Sequence, residues 1–204
     1  MNAPATTGRR AQTKAANRAA ILAAALDVFA ELGYGAAGVR DVIRRTELAP
    51  GTFYNYFPDK ESVFRALVGE TVEVARGRVA AARAGADTGT GFIEDAYRAY
   101  FSFIVEDPER HAFLSRNWGR IRLEFDDAGL PGAIADLRAD LEAAIVGGAL
   151  PAVDVEYTAQ TMIAVGLELA GLLVRRDPPD VEGATRFATG LFVGGLGGTV
   201  ASPS

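Results

Sequence analysis

Apolar residues in this chain recur only at helical spacing, and that periodicity limits the fold more than any other feature. Ile21, Leu22, Ala25, Leu26, Phe29 and Leu32 fall at i, i+1, i+4, i+5, i+8 and i+11, one stripe of a helix expected to start near Thr13 and stop at Gly33. No segment shows the alternating, β-branched pattern of a strand. Two short apolar clusters follow, Val39/Val42/Ile43 and Phe53/Tyr54/Phe57, joined by a brief link around Glu47. Longer helical segments are expected over 60–84, 92–106, 108–124, 134–146, 155–176 and 181 to about 200. Their breaks fall at Pro58-Asp59, the Gly85 to Gly91 linker, Asp107-Pro108, Gly129 to Gly132, Gly147 to Pro151 and Asp177 to Asp180. The expected fold is all-α, with a small N-terminal three-helix module and a larger C-terminal helical bundle. The expected divisions are a flexible basic arm over 1–12, a helix-turn-helix domain over 13–70 and a body over 71–204.

Composition removes several classes of function. Cysteine is absent and His111 is the single histidine, so the chain offers no disulfide framework, no thiolate or His-cluster metal site and no Cys nucleophile. Neither an enzyme nor a metal or other cofactor is expected. The first twenty residues are polar and basic, without the apolar core of a secretory signal. The longest weakly apolar stretch, Phe187 to Ala201, is too short and Gly-rich to span a bilayer. The expected location is the cytoplasm, with no membrane partner. The net charge of −5 is uneven: residues 1–60 carry +3 and the remainder −8. A basic end on an acidic body suggests a nucleic-acid partner for that end.

Two short helices meeting at a tight turn, behind a longer packing helix, form a helix-turn-helix arrangement over about 38–57. The second helix, Pro50 to Phe57, is narrow enough to enter the major groove. Pro50 suits the first helical position, and Phe53 and Phe57 share the inward face at i and i+4. Gly51, Thr52, Tyr54, Asn55 and Tyr56 occupy the remaining surface. Thr52, Tyr54 and Tyr56 offer hydroxyls to phosphate oxygens, which set register without reading sequence. Asn55 suits an adenine edge and Arg40 a guanine edge. Gly51 permits close backbone approach, and Lys60 can add a phosphate contact at the start of the next helix.

The segment from Gly33 to Leu67, GYGAAGVRDVIRRTELAPGTFYNYFPDKESVFRAL, resembles the TetR family of regulators, most densely at Gly33-Tyr34, Val39, Val42, Gly51-Thr52, Tyr54, Tyr56-Phe57 and Lys60-Glu61. The resemblance covers roughly residues 13–70. It implies three N-terminal helices on DNA, a fourth linking helix, and a dimerising body whose small ligand releases the operator. The chain departs from the family pattern at three places. Ala37-Gly38 stands where threonines commonly precede the second helix, removing an N-cap oxygen worth about 0.5–2 kcal/mol. Glu47 replaces a turn glycine, at a cost of roughly 1–2 kcal/mol if that position needs positive φ. Ala49 replaces a serine cap. Arg44 and Arg45 on the second helix are the candidates to compensate.

In the body, small residues on the last two helices suggest close packing between copies. Gly166, Ala170, Leu173, Phe192 and Gly195 are the expected interface of a homodimer, whose two-fold axis would match two operator half-sites. The middle helices are dense in large side chains, as a pocket between bundle helices requires. Phe101, Phe113, Asn117, Trp118, Ile121 and Met162 are the expected lining for a small, mostly apolar effector, with Asn117 and His111 orienting it. The expected function is a repressor released from palindromic double-stranded operator DNA by that effector. The alternative is a helical ligand-binding or adaptor protein with weakened DNA binding.

Overall fold

The computed structural model describes residues 5–84, 91–124 and 130–196 of the chain, and among these every regular element is a helix. In order they are α1 (Ala5–Ala36), α2 (Val39–Arg45), α3 (Pro50–Tyr54), α4 (Lys60–Ala84), α5 (Gly91–Glu106), α6 (Pro108–Glu124), α7 (Leu130–Val146), α8 (Val155–Leu173) and α9 (Val181–Leu196). The all-α expectation holds. The Gly85 to Thr90 linker, Phe125 and residues 197–200 of the last expected helix lie outside the described residues.

Four helices start on an aspartate, whose carboxylate accepts the backbone N–H groups that a first turn leaves unpaired. Asp59 accepts from Ser62 N at 2.7 Å, Asp107 from Glu109 N at 3.1 Å, Asp154 from Tyr157 N at 2.9 Å and Asp180 from Gly183 N at 2.8 Å. Pro108 follows Asp107 at the first helical position of α6, where its missing N–H costs nothing. These local signals explain why α4, α6, α8 and α9 start where the sequence places them. The expected end of α8 at Arg176 is too long: the helix stops at Leu173, and Arg175 and Arg176 close a turn on Leu172 and Leu173.

The first helix differs more. It runs back to Ala5 rather than starting near Thr13, so residues 5–12, expected as an arm, are helical. At the other end Gly33 adopts φ 76°, ψ 158° and breaks the helical path, after which one turn continues to Ala36. Gly33 is therefore the stop that the sequence indicated, with an extra turn beyond it. The stretch Gly8–Ala36 is long and apolar enough, by length and composition, to cross a bilayer. Its large apolar residues Ile21, Leu22, Val28 and Phe29 are instead packed inside the protein.

Two apolar cores result. One gathers α1–α4 onto α6 around Phe29, Phe53, Phe64, Phe113 and Trp118. The other joins α5, α7, α8 and α9 around Ile93, Tyr97, Phe101, Leu141 and Met162. α4 belongs to both the N-terminal module, through Phe64 and Leu67, and the body, through Ala75. A boundary at residue 70 thus falls within a continuous helix.

Candidate nucleic-acid interface and apolar cavity

Phe53 and Phe57 hold α3 in place, 1% and 5% exposed with ring centroids 6.1 Å apart. Their burial leaves Pro50, Gly51, Tyr54 and Asn55 exposed and Thr52 and Tyr56 half-buried. Tyr54 stands edge-on to Phe53 at 5.4 Å and remains 56% exposed. Asn55 is the C-cap of α3, and Pro50 to Thr52 form its free N-terminal turn. Arg40 and Arg44 are exposed on α2, with Arg44 3.6 Å from Asp41. Arg45, in contrast, is paired with Glu31 of α1.

The three departures in the turn have specific consequences. Gly38 brings no capping side chain, but Asp41 reaches back, its Oδ2 accepting from Gly38 N at 2.9 Å. Half of a capping box therefore survives from the opposite side. Glu47 carries no strain, because no described non-glycine residue has positive φ. Thr46 closes the turn in its place: its hydroxyl donates to Ile43 O at 2.9 Å and accepts from Leu48 N at 3.3 Å. Ala49 leaves α3 without a side-chain cap, as expected.

Lys60 points inward more than expected. Its ammonium donates to Tyr34 O at 2.7 Å and Ala37 O at 2.9 Å, and lies 4.3 Å from the Tyr34 ring centroid. A cation there suits the carbonyl end of α1. Two of its three donors are thus committed within the protein, leaving one for a phosphate.

Asn117 is the clearest displacement from the expected site. It is 4% exposed and lies on the α1 side of α6, outside the cavity lining. Its Oδ1 accepts from Tyr34 N at 2.7 Å, and its Nδ2 donates to Phe29 O at 2.9 Å and Phe113 O at 2.8 Å. Arg120, one turn on, stacks 4.9 Å from the Tyr34 ring and pairs with Glu61 at 3.2 Å. Nearby, Arg116 covers Gly33, where a Cβ would come within 3.3 Å of its stem. Together these residues join α6 to the end of α1. The sequence reading missed this joint because its partners are more than eighty residues apart.

The opposite face of α6 lines a cavity of about 140 Å³ bordered by α4, α5, α6, α7 and α8. Phe113, Trp118, Ile121 and Met162 line it as expected, whereas Phe101 is buried in the second core away from it. Tyr97 and Tyr100 also face it, and burial raises both phenol pKa values. Tyr97 donates its hydroxyl proton to Met162 O at 2.9 Å. α4 supplies a stripe at helical spacing, Val68, Val72, Ala75 and Val79, which the sequence alone carries as a periodic apolar face. The few polar groups in the lining include Arg76 and Asp136, joined at 2.6 Å, a pairing that lowers the Asp136 pKa.

The residues expected between two copies lie mostly inside one. Gly166 lines the cavity, where a Cβ would stand 3.4 Å from Tyr97, and Ala170 and Leu173 are 0% and 1% exposed. Phe192 stacks on Tyr97 at 6.3 Å. Only Gly195 faces open space. The small residues let helices of the same chain approach, and the outward apolar set is Leu172, Phe187 and Leu191, each between 45% and 58% exposed.

A short exposed helix, set after a tight turn and anchored on two packing helices, defines the N-terminal module as a helix-turn-helix head on an all-helical body. Residues 21–67 match the family model described as bacterial regulatory proteins, tetR family. Among curated relatives, the HTH-type transcriptional regulator RutR of Escherichia coli (strain K12) is 29% identical over 69 residues, 34% of this chain and 32% of RutR. The chain thus spans about a third of the length of that relative. Solved structures match far more of it. The fatty acid degradation regulator FadR from Bacillus halodurans superposes with a TM-score of 0.76 at 22% identity, over 88% of this chain and 96% of the other. FadR from Bacillus subtilis in complex with stearoyl-CoA gives 0.75 at 22% identity, over 87% and 98%. At these identities the likeness shows a shared fold.

Proposed function

We propose that the protein is a homodimeric DNA-binding transcription regulator, a repressor that leaves a palindromic operator when an apolar ligand enters the cavity. The observation that carries this reading is α3, fixed from behind by Phe53 and Phe57 and bare in front. Thr52, Tyr54 and Tyr56 contact phosphates, and Pro50 and Gly51 let the backbone come close. Asn55 and Arg40 read base edges, and Arg44 adds a phosphate contact. Lys60 mainly secures the end of α1 and has one donor left for the duplex. The head is residues 13–70 and the body 71–204, with α4 shared between them.

The cavity supports a ligand with a long hydrocarbon chain, as its walls are almost wholly aliphatic and aromatic. The FadR neighbour with stearoyl-CoA favours an acyl chain among such ligands. α6 carries the signal: Phe113, Trp118 and Ile121 face the ligand while Asn117 holds Phe29 and Tyr34 of α1. Dimerisation uses the outward faces of α8 and α9 through Leu172, Phe187 and Leu191, in place of the inward-facing residues first expected.

The test is fluorescence anisotropy with a labelled duplex, selected from a random-sequence library by the wild-type protein. Binding must weaken steeply between about 50 and 200 mM salt, as counterions are recaptured on release. Tyr54→Ala should weaken it without altering thermal stability, since Tyr54 is exposed. Wild-type binding that is absent or insensitive to salt would refute the reading.

A further inference from the structure

No acidic residue occurs before Asp27, although the chain holds 26 of them. Over the same span stand Arg9, Arg10, Lys14 and Arg18. The structure makes this span the beginning of α1, in which residues 8–16 are exposed without exception. These turns bury no apolar face, so tertiary packing contributes nothing to holding them helical. Among the described residues, Arg9, Arg10 and Lys14 form no ion pair.

Two observations orient this extension. The C-terminal part of α1 is tied to the body, with Phe29 and Tyr34 bonded to Asn117 of α6. Towards its N-terminus α1 runs on beside α4, where Ala15 and Arg18 share a groove with Glu70 and Val74, and the turns before Ala15 stay exposed. They leave from beside the segment that follows α3, because Arg18 lies 5.7 Å from the Phe57 ring centroid while pairing with Glu70. Arg10, Lys14 and Arg18 are spaced at i, i+4 and i+8 and share one helix face, with Arg9 beside it. The stripe leads outward from the flank of the recognition segment. Beyond Arg18 it is basic, without ion pairs and free of apolar anchors, which matches a phosphate backbone better than a protein surface.

We infer that the first three turns of α1 form a second nucleic-acid contact, laying Arg9, Arg10 and Lys14 along phosphates that flank the stretch under α3. At 1.5 Å per residue, Arg9 stands about 14 Å beyond Arg18. That distance is roughly four base-pair steps of 3.4 Å each. The inference rests on the DNA-binding reading of the head and extends it from one helix to two.

The experiment compares salt dependence in three proteins: wild type, R9Q/R10Q/K14Q, and a charge-matched control, R175Q/R176Q/R186Q, altered at exposed arginines of the body. Glutamine keeps helix propensity, and the arm side chains touch nothing, so all three should melt alike. The probe is a fluorescein-labelled mixed-sequence duplex long enough for two half-sites, titrated from about 50 to 200 mM NaCl. Each phosphate contact contributes about 0.9 to the slope of log K against log salt. The arm variant should therefore be shallower by about 2.7 per protomer, and the control unchanged. Equal slopes in the arm variant and wild type, or equal losses in arm variant and control, would overturn the inference while leaving the α3 reading intact. A wild type that binds no duplex at any of these concentrations would overturn both. An arm variant that keeps its slope on DNA but loses binding to anionic lipid vesicles would assign the stripe to a membrane surface and also overturn it.

Discussion

Replacing Asn117 by alanine should destabilise the protein by about 2–4 kcal/mol. Two of the three hydrogen bonds of this side chain cross from α6 to α1, from Tyr34 N at 2.7 Å and to Phe29 O at 2.9 Å. Alanine leaves that N–H and that carbonyl without those partners; a stranded buried polar group costs about 1–3 kcal/mol, and the part-buried setting of the Tyr34 bond keeps its share near the lower limit. The third bond, to Phe113 O, lies within α6, and that carbonyl keeps its helical setting, so it adds little. Against a typical total of about 5–15 kcal/mol the loss is large but leaves the protein folded. Urea unfolding should show a lower midpoint at unchanged slope, and the melting temperature should fall by roughly 5–15 °C. Asn117→Asp sharpens the assay: it keeps an acceptor for Tyr34 N but sets a second oxygen against two carbonyls. It should be worse than alanine at neutral pH and recover on acidification, as the carboxyl gains a proton to donate. If Asn117→Ala unfolds within about 0.5 kcal/mol of wild type, water replaces these bonds without loss and the joint is not held here.

Other perturbations probe separate parts of the molecule. Glu109 shares a hydrogen bond with Asp27, which pushes its pKa up to about 7. A carboxyl raised in the folded state contributes stability present below its unfolded pKa and lost as pH rises through the folded one, so the protein should grow more stable as pH falls from about 7 towards 4.5. Thermal melts of Glu109→Gln should lack that component. Gly171→Ala places a Cβ 2.5 Å from Trp118 Nε1. The overpacking should cost about 1–3 kcal/mol and shift the emission of Trp118, the single tryptophan, read by intrinsic fluorescence. Phe187→Asp with Leu191→Asp should convert a dimer to a monomer in sedimentation velocity without lowering helix content, because both side chains face outward. An unchanged sedimentation coefficient would move the interface elsewhere.

Most helix limits were legible because their signals are local. Asp-Pro at 107–108, Asp180 before Val181 and the i, i+4 pair Phe53/Phe57 act within one turn, and a one-dimensional reading captures interactions of that range. The start of α1 differs from the expectation because residues 5–12 have no apolar stripe, and residues 8–12 are exposed and make no packing that periodicity could report. Phe113, Trp118 and Ile121 line the cavity for a similar reason: large side chains on one face of a middle helix pack against neighbouring helices.

The sequence alone determined that this chain is helical, that its head is a helix-turn-helix, and which residues of α3 point in and out. Helical period and capping chemistry suffice for that, since they depend on neighbours a few residues away. Only the tertiary structure decided what each face meets. The period that put Gly166, Ala170 and Leu173 on shared faces could not say whether a second copy or Tyr97 and the core lay opposite. Nor could it show that Asn117 bonds Tyr34 across 83 positions, or that Lys60 bonds the carbonyls of Tyr34 and Ala37. Such contacts arise from packing elements far apart in the chain. A polar side chain there is satisfied by whatever backbone groups the assembled helices leave unpaired.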